Sequence, residues 1–156
     1  MTPAVKAARK AGVTYTLHRY THQPDTSAYG LEAARKLGLD PGRVFKTLIV
    51  ETADGTLAVA IVPVTGRLGL KACAQALATK RVRLAGSTAA ERATGYVLGG
   101  ISPLGQKRHL EAVLDESASE HETIFVSAGR RGLEIELRPA DLARLTRASF
   151  ALLTAP

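Results

Sequence analysis

The chain has 156 residues, 46% hydrophobic and 22% charged, with 21 Lys and Arg against 14 Asp and Glu for a net charge of +7. That length predicts one domain over residues 1–156, with a core that 4% aromatics and no Trp make mostly aliphatic. No run approaches the ~18 apolar residues of a membrane-spanning helix, the N-terminus "MTPAVKAARKAG" lacks the apolar stretch of a secretory signal, and the single Cys73 excludes an internal disulfide, so the expected compartment is the cytoplasm.

In chain order, Thr2 and Pro3 predict a helix start, and Gly12 its end. "VTYTLHRY" (13–20) alternates as a strand does. After the loop "THQPDTS", Ser27 is expected to cap a helix through Lys36, with Leu31, Ala34 and Leu37 on its apolar side and Gly38 as terminator. Strands over 44–52 and 56–63 flank "ADG", a hairpin signal. A short helix is expected over 68–77 and a strand over 81–84; Thr88 and Glu91 then match a capping box for a further helix. A Gly-rich centre (95–107) precedes a strand at 108–114, a hairpin "TIFVSAGRRGLEIEL", a helix from Pro139 to about Thr146 and a terminal strand at 148–153. Hairpins outnumber βαβ crossovers, which predicts an α+β fold with a twisted, mixed, largely antiparallel sheet.

The chemistry concentrates in two places. In "VFKTLIV" (44–50) the strand period of two puts Lys46 on one face with Val44, Leu48 and Val50. An ammonium there either snorkels to the sheet edge or pairs with an anion such as phosphate. In "GGISPLGQK" (99–107), Gly99, Gly100 and Gly105 permit close backbone approach, and Ser102-Pro103 reads as a cap and first residue of a helical turn whose N–H groups face an anion or carbonyl. The glycines serve a tight loop equally well. Gln106 and Arg108 break the P-loop pattern, which excludes a nucleoside triphosphatase. His18, His22, His109 and His121 lack metal-ligand spacing, no GxSxG is present, and Cys73 lies in an apolar helix as a structural thiol would. No metal and no cofactor are expected. The net +7 suits a polyanionic partner or, as readily, a solvated basic surface. Tyr20 and Tyr29 flank a loop where they could stack on a base or pack in the core.

"TPAVK", "VFKTLIV", "LAVAIVPV", "ATGYVLGGISPLGQK", "FVSAGRRGLEIEL" and "DLARL", in this order from about Thr2 to about Leu153, resemble the YbaK family of Cys-tRNA(Pro) deacylases, free-standing relatives of the editing domain of prolyl-tRNA synthetase. The resemblance implies a compact, barrel-like α+β fold and a trans-editing hydrolase that cleaves the ester between cysteine and the 3′ end of proline tRNA, assisted by the substrate's own thiol. It implies Lys46 as the catalytic residue, and a substrate pocket that includes Tyr20, Tyr29, Thr47, Gly99, Gly100, Ile101, Ser102, Gly105, Ser127 and Glu134, the last where relatives commonly carry Asp. The partners implied are proline tRNA, with prolyl-tRNA synthetase as a second, and neither membrane nor DNA. Three rival readings stand beside it: a deacylase for another small amino acid such as Ala, a non-catalytic module that binds tRNA or the synthetase, and a generic basic nucleic-acid binder, which the absence of basic runs weakens.

Overall fold

The computed structural model describes residues 1–26 and 28–156. Helix α1 (Pro3–Ala11) starts as its sequence dictates: Thr2 Oγ1 accepts from the Val5 amide at 3.2 Å, and Gly12 closes it at φ +72°. The same hydroxyl donates to the Ala128 carbonyl, which ties the helix to the strand that carries Ala128. Strand β1 (Tyr15–Arg19) precedes α2 (Tyr29–Leu37). The expected cap, Ser27, lies outside the described residues; Ala28 stands at the N-cap, with no side-chain hydrogen bond. The apolar side of α2 is only in part the expected one, with Ala34 buried as expected. Leu31 is exposed, and the buried residues are Glu32, Ala33 and Ala34. Glu32 tolerates this because its carboxylate accepts from the Gln23 amide at 2.8 Å and meets His22 Nδ1 at 2.7 Å.

After a 3₁₀ turn (Pro41–Arg43) come β2 (Phe45–Thr52) and β3 (Leu57–Pro63), joined by the hairpin that "ADG" predicts. Next are β4 (Arg67–Leu68), α3 (Leu70–Ala76), β5 (Val82–Leu84) and α4 (Ser87–Thr94). The helix expected over 68–77 starts late because Leu68 pairs with a C-terminal strand. The capping box is absent: Gly86 is the N-cap of α4, and Glu91 reaches forward to accept from the Leu98 amide at 2.8 Å. Strand β6 (Glu111–Asp115) also starts late, since the Lys107 and Arg108 amides are held by the Thr94 and Ala93 carbonyls. Strands β7 (Ile124–Arg130) and β8 (Leu133–Leu137) form the expected hairpin, with a bulge between Ser127 and Arg130. Helix α5 (Pro139–Thr146) follows, and the expected terminal strand divides into β9 (Ser149–Ala151) and β10 (Thr154–Ala155). Between them the Leu153 amide donates to buried Asp115 at 2.8 Å.

The strands form a five-stranded sheet (β5-β2-β3-β6-β9), a three-stranded sheet (β1-β8-β7) and the β4–β10 pair. The large sheet is mixed: β3–β6 and β6–β9 are parallel, the other pairs antiparallel. Val44 pairs with Phe125, joining the two larger sheets beside the start of β2. The main core contains Phe45, Ile49, Ile61, Leu114, Val126 and Ile135. On its other face the large sheet packs Val50, Ala60 and Val62 against Cys73, Ala74 and Leu77. Burial pushes the Cys73 thiol up to about 11, as a structural thiol requires. Among the described residues, no helix is long and apolar enough to cross a membrane.

Candidate active site

A cavity of about 310 Å³ opens where the two larger sheets meet. Tyr20 lines it just after β1; α2 contributes Tyr29, Gly30 and Leu31 from its first turn; β2 contributes Phe45, Lys46, Thr47 and Leu48. Val64 follows from beyond β3, and the Gly-rich loop supplies Leu98, Gly99 and Ile101. Ser127 of β7 and Glu134 of β8, directly opposite one another in register, complete the lining.

Three of the polar groups here, those of Lys46, Thr47 and Glu134, lack partners among the described residues. No carboxylate lies within salt-bridge distance of Lys46 among the described residues, and burial holds its ammonium below the ordinary lysine range. Thr47 Oγ1 is buried without a hydrogen-bond partner among the described residues. Glu134 is 6% exposed, and burial pushes its carboxyl up to about 8. Burial, and then the charge of Glu134, push the Tyr20 phenol up to about 12, so it remains a neutral donor. Tyr20 and Ser127 are engaged, the phenol with the Gly132 backbone and the Ser127 hydroxyl accepting from the Gly129 amide at 3.2 Å. A buried hydroxyl left unpaired costs roughly 1–3 kcal/mol, and such groups converging in a cleft mark a ligand site.

The Gly-rich loop divides. Gly99 (φ +88°) lies so close to Tyr29 that a Cβ would stand 2.8 Å from the ring. Gly100, Ser102 and Gly105 stand outside the lining. Gly100 packs on the Arg130 backbone, 2.7 Å from where its Cβ would be, and Gly105 on Pro3, 2.4 Å from the carbonyl oxygen. Ser102 and Pro103 open no helical turn: Ser102 is fully buried, its Oγ accepting from the Leu104 amide at 3.2 Å. The Gly100 amide is spent on the Val97 carbonyl at 2.9 Å. The Ile101 amide has no acceptor among the described residues. Sequence reasoning missed Ala28, Gly30, Leu31, Phe45, Leu48, Val64 and Leu98. Gly30 packs with its would-be Cβ only 2.2 Å from Val64 Cγ1, a contact between distant segments that nothing in the local pattern signals.

The family described as "Aminoacyl-tRNA editing domain" matches residues 24–145. A protein of Enterococcus faecalis, provisionally named Cys-tRNA(Pro)/Cys-tRNA(Cys) deacylase EbsC, is 35% identical over 153 residues, spanning 98% of this chain and 93% of its own. Two crystal structures share the fold. One, provisionally described as a trans-editing enzyme for prolyl tRNA synthetase, superposes with a TM-score of 0.81 at 22% identity, covering 100% of this chain and 99% of the other. The second, hypothetical protein APE2540, superposes at 0.86 with 24% identity, covering 99% of this chain and 100% of the other. With most of its length matched by the family and nearly all of it aligned to a relative at this identity, the chain belongs to the aminoacyl-tRNA editing domain family.

Proposed function

We propose that this chain, acting as one editing domain over residues 1–156, hydrolyses the ester between cysteine and the 3′ end of proline tRNA. The observation that carries the reading is the set of unpartnered polar groups, Lys46, Thr47 and Glu134, in one small cavity of a family member. The volume of about 310 Å³ suits an aminoacyl group with part of its ribose. In this reading Lys46 grips a terminal phosphate or ribose hydroxyl, Glu134 receives the substrate's α-amino group, and the Ile101 amide faces the ester carbonyl, where it stabilises the developing oxyanion. The chain supplies no nucleophile. The cysteine sulfur attacks its own ester carbonyl; a C–S bond forms, the C–O bond to the ribose breaks, and the thiol proton goes to the departing ribose oxygen. Water then opens the resulting thiolactone to free cysteine. Holding sulfur and carbonyl together supplies much of the acceleration. Such a reaction belongs in the cytoplasm, downstream of a prolyl-tRNA synthetase that releases the mischarged product.

The test is a deacylation series on proline tRNA charged with Cys, Ala or Pro. The expected order puts Cys far ahead, and S-methylation of the cysteine should remove the advantage. A wild-type protein that accelerates none of the three would refute the reading. Faster loss of Ala would reassign the amino acid, and an unchanged rate after S-methylation would remove the thiol from the mechanism.

A further inference from the structure

The mouth of the cavity is braced by a residue that does not line it. The Leu98 peptide is held at both ends by opposite charges: its N–H donates to Glu91 Oε2 at 2.8 Å, and its carbonyl accepts from Arg131 Nε at 3.0 Å and Nη2 at 2.7 Å. Charge-assisted bonds of this kind are about twice as strong as neutral ones. The same guanidinium lies 4.8 Å from the centroid of the Tyr29 ring, a cation–π distance. Gly99 is wedged between them, where a Cβ would stand 2.6 Å from Arg131 Nε and 2.8 Å from Tyr29 Cε2. Arg131 itself sits in the turn between β7 and β8, the strands that carry Ser127 and Glu134. One side chain thereby ties three walls of the cavity together: the first turn of α2, the Gly-rich loop and the β7–β8 hairpin.

We propose that Arg131 is a positioning residue: by bracing the Tyr29 ring and the Leu98–Gly99 backbone it sets the width of the pocket mouth, and with it the discrimination among aminoacyl ends. The inference rests on the deacylase reading above. It differs from the simplest role of an exposed arginine in a basic protein, a phosphate contact, because it depends on the planar fork as well as on the charge. Lysine keeps the charge but can neither donate the same pair of bonds nor stack a plane on a ring.

The experiment compares wild type, Arg131→Lys and Arg131→Ala on Cys-, Ala- and Pro-charged proline tRNA, with kcat and KM resolved and binding followed across a salt series. Both variants should lose discrimination, with the Cys-to-Ala and Cys-to-Pro ratios of kcat/KM falling about tenfold or more, in line with the steep dependence of rate on placement, while the salt dependence of binding stays as in wild type. If Arg131→Lys keeps the wild-type ratios while Arg131→Ala weakens all three substrates alike and lowers the salt slope by about one, Arg131 is a phosphate contact and the proposal is overturned. Unchanged ratios in both variants overturn it too. These results require an active wild type, so they are distinct from failure of the deacylase reading, in which the wild type itself hydrolyses none of the substrates and the proposal falls with it.

Discussion

Two glutamates on one face of β8, Glu134 and Glu136, meet opposite fates. Glu136 accepts from Thr123 Oγ1 at 2.6 Å, meets His18 Nε2 at 2.9 Å and lies 3.5 Å from Arg43, whose guanidinium also covers the Phe125 ring. Burial alone would raise its carboxyl, but the hydrogen bonds of Thr123 and His18, with the charges of His18 and Arg43, outweigh that and hold it below the ordinary range. Glu134, two residues earlier, has none of this support and rises to about 8. The Arg43 cluster saturates its polar groups within the protein; the cavity leaves Lys46, Thr47 and Glu134 unsaturated among the described residues. The first arrangement holds a structure together, and the second is stable only at some cost, which a polar ligand can offset.

The sharpest way to break the comparison is Lys46→Ala. If the unpaired ammonium serves substrate, single-turnover deacylation should fall by about 10²-fold or more, while thermal melts show stability changed by at most about 1 kcal/mol. Lys46→Arg should also fail substantially, because a guanidinium is a different shape. A folded Lys46→Ala protein with normal turnover would make the cavity an ordinary surface cleft. In the saturated region the signs reverse. Glu136→Ala leaves Arg43, His18 and Thr123 without their acceptor, so denaturant titration should show a loss of about 2 kcal/mol, with deacylation little changed.

The two glutamates should also give stability opposite slopes in pH. Glu134 titrates near 8 in the fold against an ordinary 4.5, so the folded state binds the extra proton between these values, and stability falls as pH rises through that window. Glu134→Gln should flatten this fall in melts across the range. Glu136 titrates below its ordinary 4.5, so its contribution is present above that value and is lost as pH falls further; Glu136→Gln should remove that acid-side loss and leave the alkaline side alone. Identical profiles for the two variants would erase the distinction. The smallest effect belongs to Thr47→Val. Removing the orphaned hydroxyl should raise stability by about 1 kcal/mol and raise KM, a gain in folding at the expense of binding.

Much of this molecule is legible in local sequence. The Thr2 cap with Pro3, the "ADG" hairpin, the strand period of "VFKTLIV" and the glycines that end α1 and α2 are decided by φ preferences and side-chain alternation within a few residues. Lys46 stood out for the same reason: a lone charge in an apolar strand is a local anomaly. The α+β class and the family followed from motifs in order along the chain. What only the tertiary structure decided depends on partners far apart in sequence. The identical local setting of Glu134 and Glu136 in "LEIEL" cannot say which one Arg43 will reach from 93 residues away. Glu91 reads as a capping residue until Leu98 is folded against it. Gly99 and Gly105 look interchangeable until one packs on Tyr29 at the cavity and the other on Pro3 behind it. Arg131 lies in the hairpin "FVSAGRRGLEIEL", but its grip on Leu98, 33 residues away, exists only once the sheets have closed. Backbone preference acts over a few bonds and can be read along the chain, whereas burial, charge pairing and the shape of a cavity are set by whichever surfaces the folded sheets bring together.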